Sequence, residues 1–243
     1  MIPIFRSFLL ILWTAFCCGA GLVVVMMRKS WANWVLLRIG GDLWSRPMMR
    51  LTGSKTFVAK GPGADALPHH GIFIANHTSF LDINALFAFL DRPIVFLAKS
   101  SLRRVPLLGG VNARVGTVFV KRGNLQDSIR AVEALQHSFR QGRCVVVFPE
   151  GTRSKSDDML PFKKGAFHLA AGAGSPIVPV YIEGTRKILP SGGFLSRRQQ
   201  VEVWVGHAIQ PSENTPEAVE RFRREGERAV HDLRALARAS SLP

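Results

Sequence analysis

Short, mainly apolar runs recur from residue 71 to residue 205 at intervals too wide for hairpins: Gly71 to Ala75, Ile94 to Ala98, Thr117 to Lys121, Cys144 to Phe148, Ile177 to Ile182 and Val201 to Val205. Between them the apolar spacing changes to that of helices. Ser79 to Leu90 is one such stretch, and Asp127 to Gln141 is a second, with Ile129, Val132, Leu135 and Phe139 on one face. Phe162 to Ala173 is a third, closed by glycines. Thr215-Pro216-Glu217 opens a C-terminal helix whose Val219, Phe222, Val230, Leu233 and Leu236 form a stripe. Runs such as Cys144 to Phe148 have no polar face, which predicts burial on both sides of a sheet. The pattern predicts an α/β fold over residues 51–243, a single domain with a largely parallel or mixed central sheet flanked by helices. Pro179 lacks an N–H and predicts that its strand lies at an edge or is irregular.

Residues 1–50 do not share that alternation. Ser7 to Met27 are uncharged, and a helix of that length covers roughly 30 Å, the thickness of bilayer hydrocarbon. A secretory signal peptide is the competing reading. It fits less well, because the apolar stretch is too long and no small-residue cleavage site follows. Arg28, Lys29, Arg38, Arg46 and Arg50 follow the segment and only Arg6 precedes it, so the positive-inside bias predicts a cytoplasmic body. Ser30 to Arg50, with Trp31, Trp34 and Trp44 among basic residues, reads as an interfacial amphipathic helix or as an ordinary core-packing one. The expectation is an N-terminal membrane-associated helical segment, either spanning or re-entrant, ahead of the α/β domain.

Composition sharpens the choice of partner. The chain of 243 residues is 47% apolar, with mean hydropathy +0.13 and three cysteines, which excludes a disordered chain and a disulfide scaffold. Its net charge is +15. Six arginines and six acids cancel over residues 211–243, so the excess lies in the body and not in a basic tail. Anionic partners are implied: a membrane surface, a phosphorylated substrate or a nucleic acid.

Four segments concentrate chemistry. Asn76-His77-Thr78-Ser79-Phe80-Leu81-Asp82 follows the first apolar run. In a continuous helix His77 and Asp82 lie about 140° apart, but a helix beginning after His77 lets Asp82 lean back to the imidazole. A carboxylate so placed holds one ring nitrogen protonated and leaves the other as a base. Ser79-x-x-Asp82 is equally a capping box. Gly116 to Arg122 is a strand ending in Lys121 and Arg122, and Val147 to Ser154 is a strand followed by a turn that exposes Glu150 and Arg153, where Gly151 lets backbone approach a ligand. Ile177 to Gly184 is the fourth. In parallel α/β sheets these chain positions share the rim of carboxyl ends where ligands collect. An arginine there can bind two phosphate oxygens at once.

No nucleophile elbow, P-loop, H-E-x-x-H or paired C-x-x-C occurs, and His69-His70 near His77 lacks the Cys or carboxylate pair that would complete a metal set, so no metal is expected. Aromatic residues are not interleaved with the basic ones in the body, which argues against a membrane-tethered nucleic-acid-binding module.

Taken together, Asn76-His77-x4-Asp82, Gly116-x-x-Phe119-x-x-Arg122, Phe148-Pro149-Glu150-Gly151-Thr152-Arg153-Ser154 and Val178-Pro179-Val180 resemble the blocks of the glycerolipid acyltransferase family, specifically bacterial 1-acyl-sn-glycerol-3-phosphate acyltransferases. Ala98-Lys99, with Pro106 and Gly109, and Phe162-Lys163-Lys164-Gly165 are similar too. The resemblance spans about residues 70 to 184. It implies acyl transfer from acyl-CoA or acyl-carrier protein to the free hydroxyl of lysophosphatidic acid, giving phosphatidic acid, at the cytoplasmic side of a bacterial inner membrane and with no cofactor. It implies His77 as base, Asp82 as its orienter, Arg122 and Arg153 on the acceptor phosphate, and Glu150 positioning the acceptor or those arginines. Lys99, Gly151 and Thr152 are the further substrate-binding candidates. Another lysolipid or glycerol 3-phosphate is the alternative acceptor.

Overall fold

The computed structural model describes residues 2–27, 39–52, 57–90, 93–105, 108–120, 125–195 and 199–240. Arg122 and residues 28–38, which carry part of the amphipathic stretch, lie outside them.

The chain enters through helix α1 (Ile2–Met27). A wide, π-type helical segment follows at Ile39–Ser45, and then α2 (Arg46–Leu51), which Pro47 opens at its first turn. The body runs β1 (Phe57–Lys60), β2 (Ile72–Ala75), α3 (Leu81–Phe89), β3 (Ile94–Lys99), a 3₁₀ turn (Ser100–Arg104), α4 (Leu108–Val115), β4 (Val118–Val120), α5 (Leu125–Arg140), β5 (Cys144–Val147), α6 (Gly165–Gly172), β6 (Ile177–Glu183), α7 (Thr185–Ile188), β7 (Val201–Val205) and α8 (Pro216–Ser240).

Among the described residues seven strands form one sheet in the order β1-β7-β6-β2-β5-β3-β4. Every neighbouring pair is parallel except β6 with β7. β2, β5 and β6, apolar but for Glu183 at the end of β6, occupy the centre and, that residue aside, are buried on both faces. One face carries Ile72, Ile74, Val145 and Val147 against α5, α6 and α8, with Leu135, Phe167, Val219 and Phe222 inside. The other carries Phe73, Ala75, Val146 and Val180 against α3 and the N-terminal helices, with Leu81, Leu86, Met48, Met49 and Leu10 inside. α8 approaches the sheet closely because residue 226 is glycine: a Cβ there would lie 2.7 Å from Ile177 Cδ1 and 2.8 Å from Phe167 Cε1.

Pro179 does not mark an edge. β6 lies between β2 and β7. The irregularity is instead a change of register: Val180 pairs with Val205, but the bridge beyond joins Ile177 to Ile209, so two residues of β6 face three of the opposing chain. Proline is tolerated at such a bulge because the ladder there asks no N–H of it. Gly206 N–H donates to the Pro179 carbonyl at 2.9 Å.

α1 is the one helix among the described residues long and apolar enough to cross a membrane, over Phe5–Val23. Along one side it is docked on the body. Leu10 and Cys17 are buried, the Trp13 indole donates to the Leu43 carbonyl at 3.1 Å, the Trp44 indole donates to Thr14 Oγ1 at 3.1 Å, and Leu195 N–H donates to Ser7 Oγ at 3.2 Å. Phe5, Phe8, Ile11, Phe16 and Val23 face outward, each more than half exposed.

Candidate active site

The carboxyl ends of β2, β5, β3 and β6 lie on one rim of the sheet because these strands run parallel. His77 is the second residue past β2, at the middle of that rim. α3 starts at Leu81, four residues later, so Asp82 lies in its first turn and can reach back. Ser79 N–H donates to Asp82 Oδ2 at 2.9 Å and Ser79 Oγ accepts Leu81 N–H at 3.1 Å, so the expected capping box forms only in part: the hydroxyl meets Leu81 instead of Asp82, and Phe80 holds the N-cap position.

That carboxylate has a second duty. Asp82 Oδ2 lies 2.8 Å from His77 Nδ1 and also accepts Thr78 N–H at 2.7 Å, while Oδ1 accepts the Thr185 hydroxyl at 2.5 Å. Asp82 and Thr185 are fully buried. Three donors besides the imidazole fix the carboxylate, and the carboxylate then fixes the tautomer: Nδ1 carries the proton, and Nε2 is left without a partner among the described residues.

The imidazole is held from its other sides as well. The Phe148 ring stacks on it at 3.9 Å between centroids and 13° between planes. Phe148 in turn stacks against Phe96 from β3. His77 N–H donates to Glu150 Oε1 at 2.7 Å, and Ser154 N–H donates to the His77 carbonyl at 2.8 Å. The turn does not expose Glu150 as its sequence suggests: the side chain is folded inward and 1% exposed, because its Oε1 takes His77 N–H and its Oε2 accepts Leu160 N–H at 2.9 Å. Burial pushes the Glu150 carboxyl above its ordinary range, opposed by those two backbone donors. The turn after β5 is thus fastened to the residue after β2, and it requires Gly151, whose φ of 72° is open to few other residues.

Of the other expected site residues, Gly151, Thr152 and Arg153 are exposed on that turn, next to Ser154 and its bond to His77. Arg153 makes no hydrogen bond or ion pair among the described residues, so its guanidinium is available to a ligand. Lys99 is exposed at the end of β3. The structure therefore gathers His77, Asp82 and Glu150 into one bonded cluster, with Arg153 beside it and Lys99 on the same rim. Three participants have no role in the sequence reading: Thr185, which it does not name, and Phe148 and Asn76, which it names only as parts of motifs. Asn76 exchanges hydrogen bonds with the Ile182 backbone, 3.0 Å as donor and 2.7 Å as acceptor, tying the end of β2 to β6. Their partners lie up to 106 residues away in the chain, and only Asn76's place beside His77 hinted at a role.

The family model for the acyltransferases matches residues 59–183, which hold this whole cluster but Thr185. The chain belongs to the acyltransferase family. A 1-acyl-sn-glycerol-3-phosphate acyltransferase of Salmonella typhimurium is 31% identical over 186 residues, 76% of this chain and 74% of that protein. One from Chlamydomonas reinhardtii is 37% identical over 153 residues, 63% of this chain; the chain spans about half the length of that relative, 46%. The crystal structure of the 1-acyl-sn-glycerophosphate acyltransferase PlsC from Thermotoga maritima has the same fold, with a TM-score of 0.70, 97% of this chain and 98% of that one covered, and 24% identity.

Proposed function

We propose that this acyltransferase moves a fatty acyl group from a thioester, acyl-CoA or acyl-carrier protein, to the free hydroxyl of 1-acyl-sn-glycerol 3-phosphate, forming phosphatidic acid. The observation that carries the reading is the buried Asp82 carboxylate holding His77 Nδ1 at 2.8 Å with Nε2 unengaged, on a rim that also presents Arg153 and Lys99. His77 Nε2 takes the proton of the acceptor hydroxyl as its oxygen attacks the thioester carbonyl. The C–O bond forms, the C–S bond breaks, and the imidazolium returns the proton to the departing thiolate. The thioester is already activated, so neither an enzyme nucleophile nor a cofactor enters the scheme.

A base so placed contributes roughly 10²- to 10⁴-fold, about 3–5 kcal/mol. The remainder falls to positioning of the substrates. Arg153, Lys99 and Arg122 hold the acceptor phosphate, Gly151 and Thr152 bring backbone to it, and Glu150 keeps the turn of Arg153 in register with His77. The outward apolar face of α1 sits in the cytoplasmic leaflet, where the acceptor resides, with the catalytic body on the cytoplasmic side.

The deciding experiment supplies the purified protein in micelles with acyl-CoA or acyl-carrier protein and a panel of lysolipids and glycerol 3-phosphate, following thiol release and product mass. Release that depends on lysophosphatidic acid and yields phosphatidic acid is the expected result. Equal release without any acceptor, or a preference for another acceptor, overturns the assignment.

A further inference from the structure

The rim that carries His77 has a second basic side. A cleft of about 300 Å³ opens beside the dyad, reached from Asn76 and Thr78, the chain neighbours of His77 on either side. Its far wall is basic: Arg186 and Lys187 come from α7 and Arg238 from the last turns of α8. Two acids also line it, and each has a partner of its own. Asp157 accepts from Arg186 at 2.8 Å, and Glu183 takes the Tyr181 hydroxyl at 2.6 Å and lies 3.4 Å from Lys187 Nζ. Arg238, exposed, makes no hydrogen bond or ion pair among the described residues. The Arg186 Nε–H is buried without a partner. A buried donor left unpaired is costly, so the Arg186 Nε–H beside Arg238 favours an anionic ligand in the cleft.

Position tells which anion. Both substrates of the proposed reaction carry phosphate, and a shared site would put them in each other's way. His77 follows β2, at the centre of the sheet order β6-β2-β5-β3. Arg153 and Lys99 follow β5 and β3 on one side of it, and the basic cleft follows β6 on the other. We propose that this cleft binds the phosphopantetheine phosphate of the acyl-thioester donor, with Arg238, Lys187 and the Arg186 Nε–H as its donors. The arm between phosphate and sulfur then runs past Thr78 toward His77. This rests on the acyl-transfer reading and assigns the donor to the β6 side of the base, the acceptor to the β5 side.

The test compares Arg238→Gln and Lys187→Gln with Arg228→Gln, which removes an equal charge from α8 where the side chain is 84% exposed and outside the cleft. Donors are acyl-CoA, acyl-carrier protein, acyl-4′-phosphopantetheine and acyl-pantetheine, the last lacking phosphate. We expect each cleft variant to raise KM about tenfold for every phosphate-bearing donor, the loss of one charge-assisted bond, with KM unchanged for acyl-pantetheine and for the lysolipid. Arg228→Gln should change none. A rise for acyl-CoA, acyl-carrier protein and acyl-4′-phosphopantetheine alike supports the shared phosphate of the arm; a rise confined to acyl-CoA overturns it in favour of the nucleotide phosphates. A rise in the lysolipid KM alone, equal rises with and without donor phosphate, or no change overturns the proposal. Calorimetric binding of CoA to the same variants, measured without acceptor, keeps the outcome separate from the reaction itself: a protein that transfers no acyl group to any lysolipid but loses CoA affinity on Arg238→Gln fails the first reading and retains this one.

Discussion

Asp82 performs two tasks with one carboxylate, holding the first turn of α3 through Ser79 N–H and orienting His77 through Nδ1. The tasks separate by substitution. Asp82→Asn keeps the shape, and because Thr78 and Ser79 N–H both need an acceptor where Oδ2 lies, the amide oxygen faces Nδ1 and the amide nitrogen turns to the Thr185 hydroxyl; what is lost is the negative charge that steadies a protonated imidazole. Turnover should fall about 10²- to 10⁴-fold in a steady-state assay with the fold intact by circular dichroism. Thr185→Val removes only the hydroxyl that bonds Asp82 Oδ1. Leaving a buried carboxylate oxygen short of a donor should cost about 1.5–3 kcal/mol in urea unfolding, and Thr185→Ser should restore most of it. Glu150 provides a pH test. Its carboxyl lies above the ordinary range because it is buried, so the folded state holds the proton more tightly than the unfolded chain. Stability contributed at this site is therefore complete at low pH and is lost as pH rises from the ordinary glutamate range through the raised value. The stability of the parent protein minus that of Glu150→Gln, which cannot titrate, should decline across that window and be flat above it. A difference that grows with pH would show that the two backbone donors outweigh burial.

At the scale of elements, what the sequence disclosed is what local pattern encodes. The central strands and α3, α5 and α8 lie within a few residues of their expected places, because apolar runs and helical stripes are written into the chain itself. β1 went unread: Phe57 to Lys60 is a short run that becomes a strand by pairing with β7, more than a hundred residues on. α4 holds Gly109 and Gly110, poor helix formers, and owes its helicity to packing on α1 and the 3₁₀ turn. The site divides the same way. His77 and Asp82 were legible because five residues separate them, whereas Thr185 meets Asp82 across 103 residues of chain. Gly226 belongs to this scale, since its lack of a side chain sets how near α8 lies to the sheet. Gly226→Val would gain helix propensity of a few tenths of a kcal/mol but drive carbon into Ile177, Phe167 and Ile74. Overpacking should prevail by about 1–3 kcal/mol, read as a lower denaturation midpoint at unchanged m-value. A midpoint that rises would mean that α8 shifts outward without cost.

Over the whole molecule, two separable forces favour a lipid surface. One is the net charge of +15; the other is the apolar strip of Phe5, Phe8, Ile11, Phe16 and Val23 along the outer side of α1. Because the inner side of α1 is docked through Leu10, Trp13, Thr14 and Cys17, removing the helix would uncover core residues such as Met48 and confuse lost binding with aggregation. Point changes on the outer strip avoid this. Burying a large apolar side chain contributes roughly 1.5–3 kcal/mol, so Phe8→Ser, Ile11→Ser and Phe16→Ser together remove several kcal/mol of membrane affinity. The electrostatic part behaves differently: it amounts to about 1 kcal/mol per basic residue near an anionic surface and is screened by salt. The parent protein should therefore sediment with neutral vesicles and with anionic ones in high salt. The triple variant should sediment only with anionic vesicles in low salt. It should still turn over a short-chain acceptor soluble without a bilayer, because the His77 to Asp82 contact involves no residue of α1. Retention of the triple variant on neutral vesicles would move the membrane contact to another surface, and loss of the parent from anionic vesicles in high salt would make charge alone the anchor.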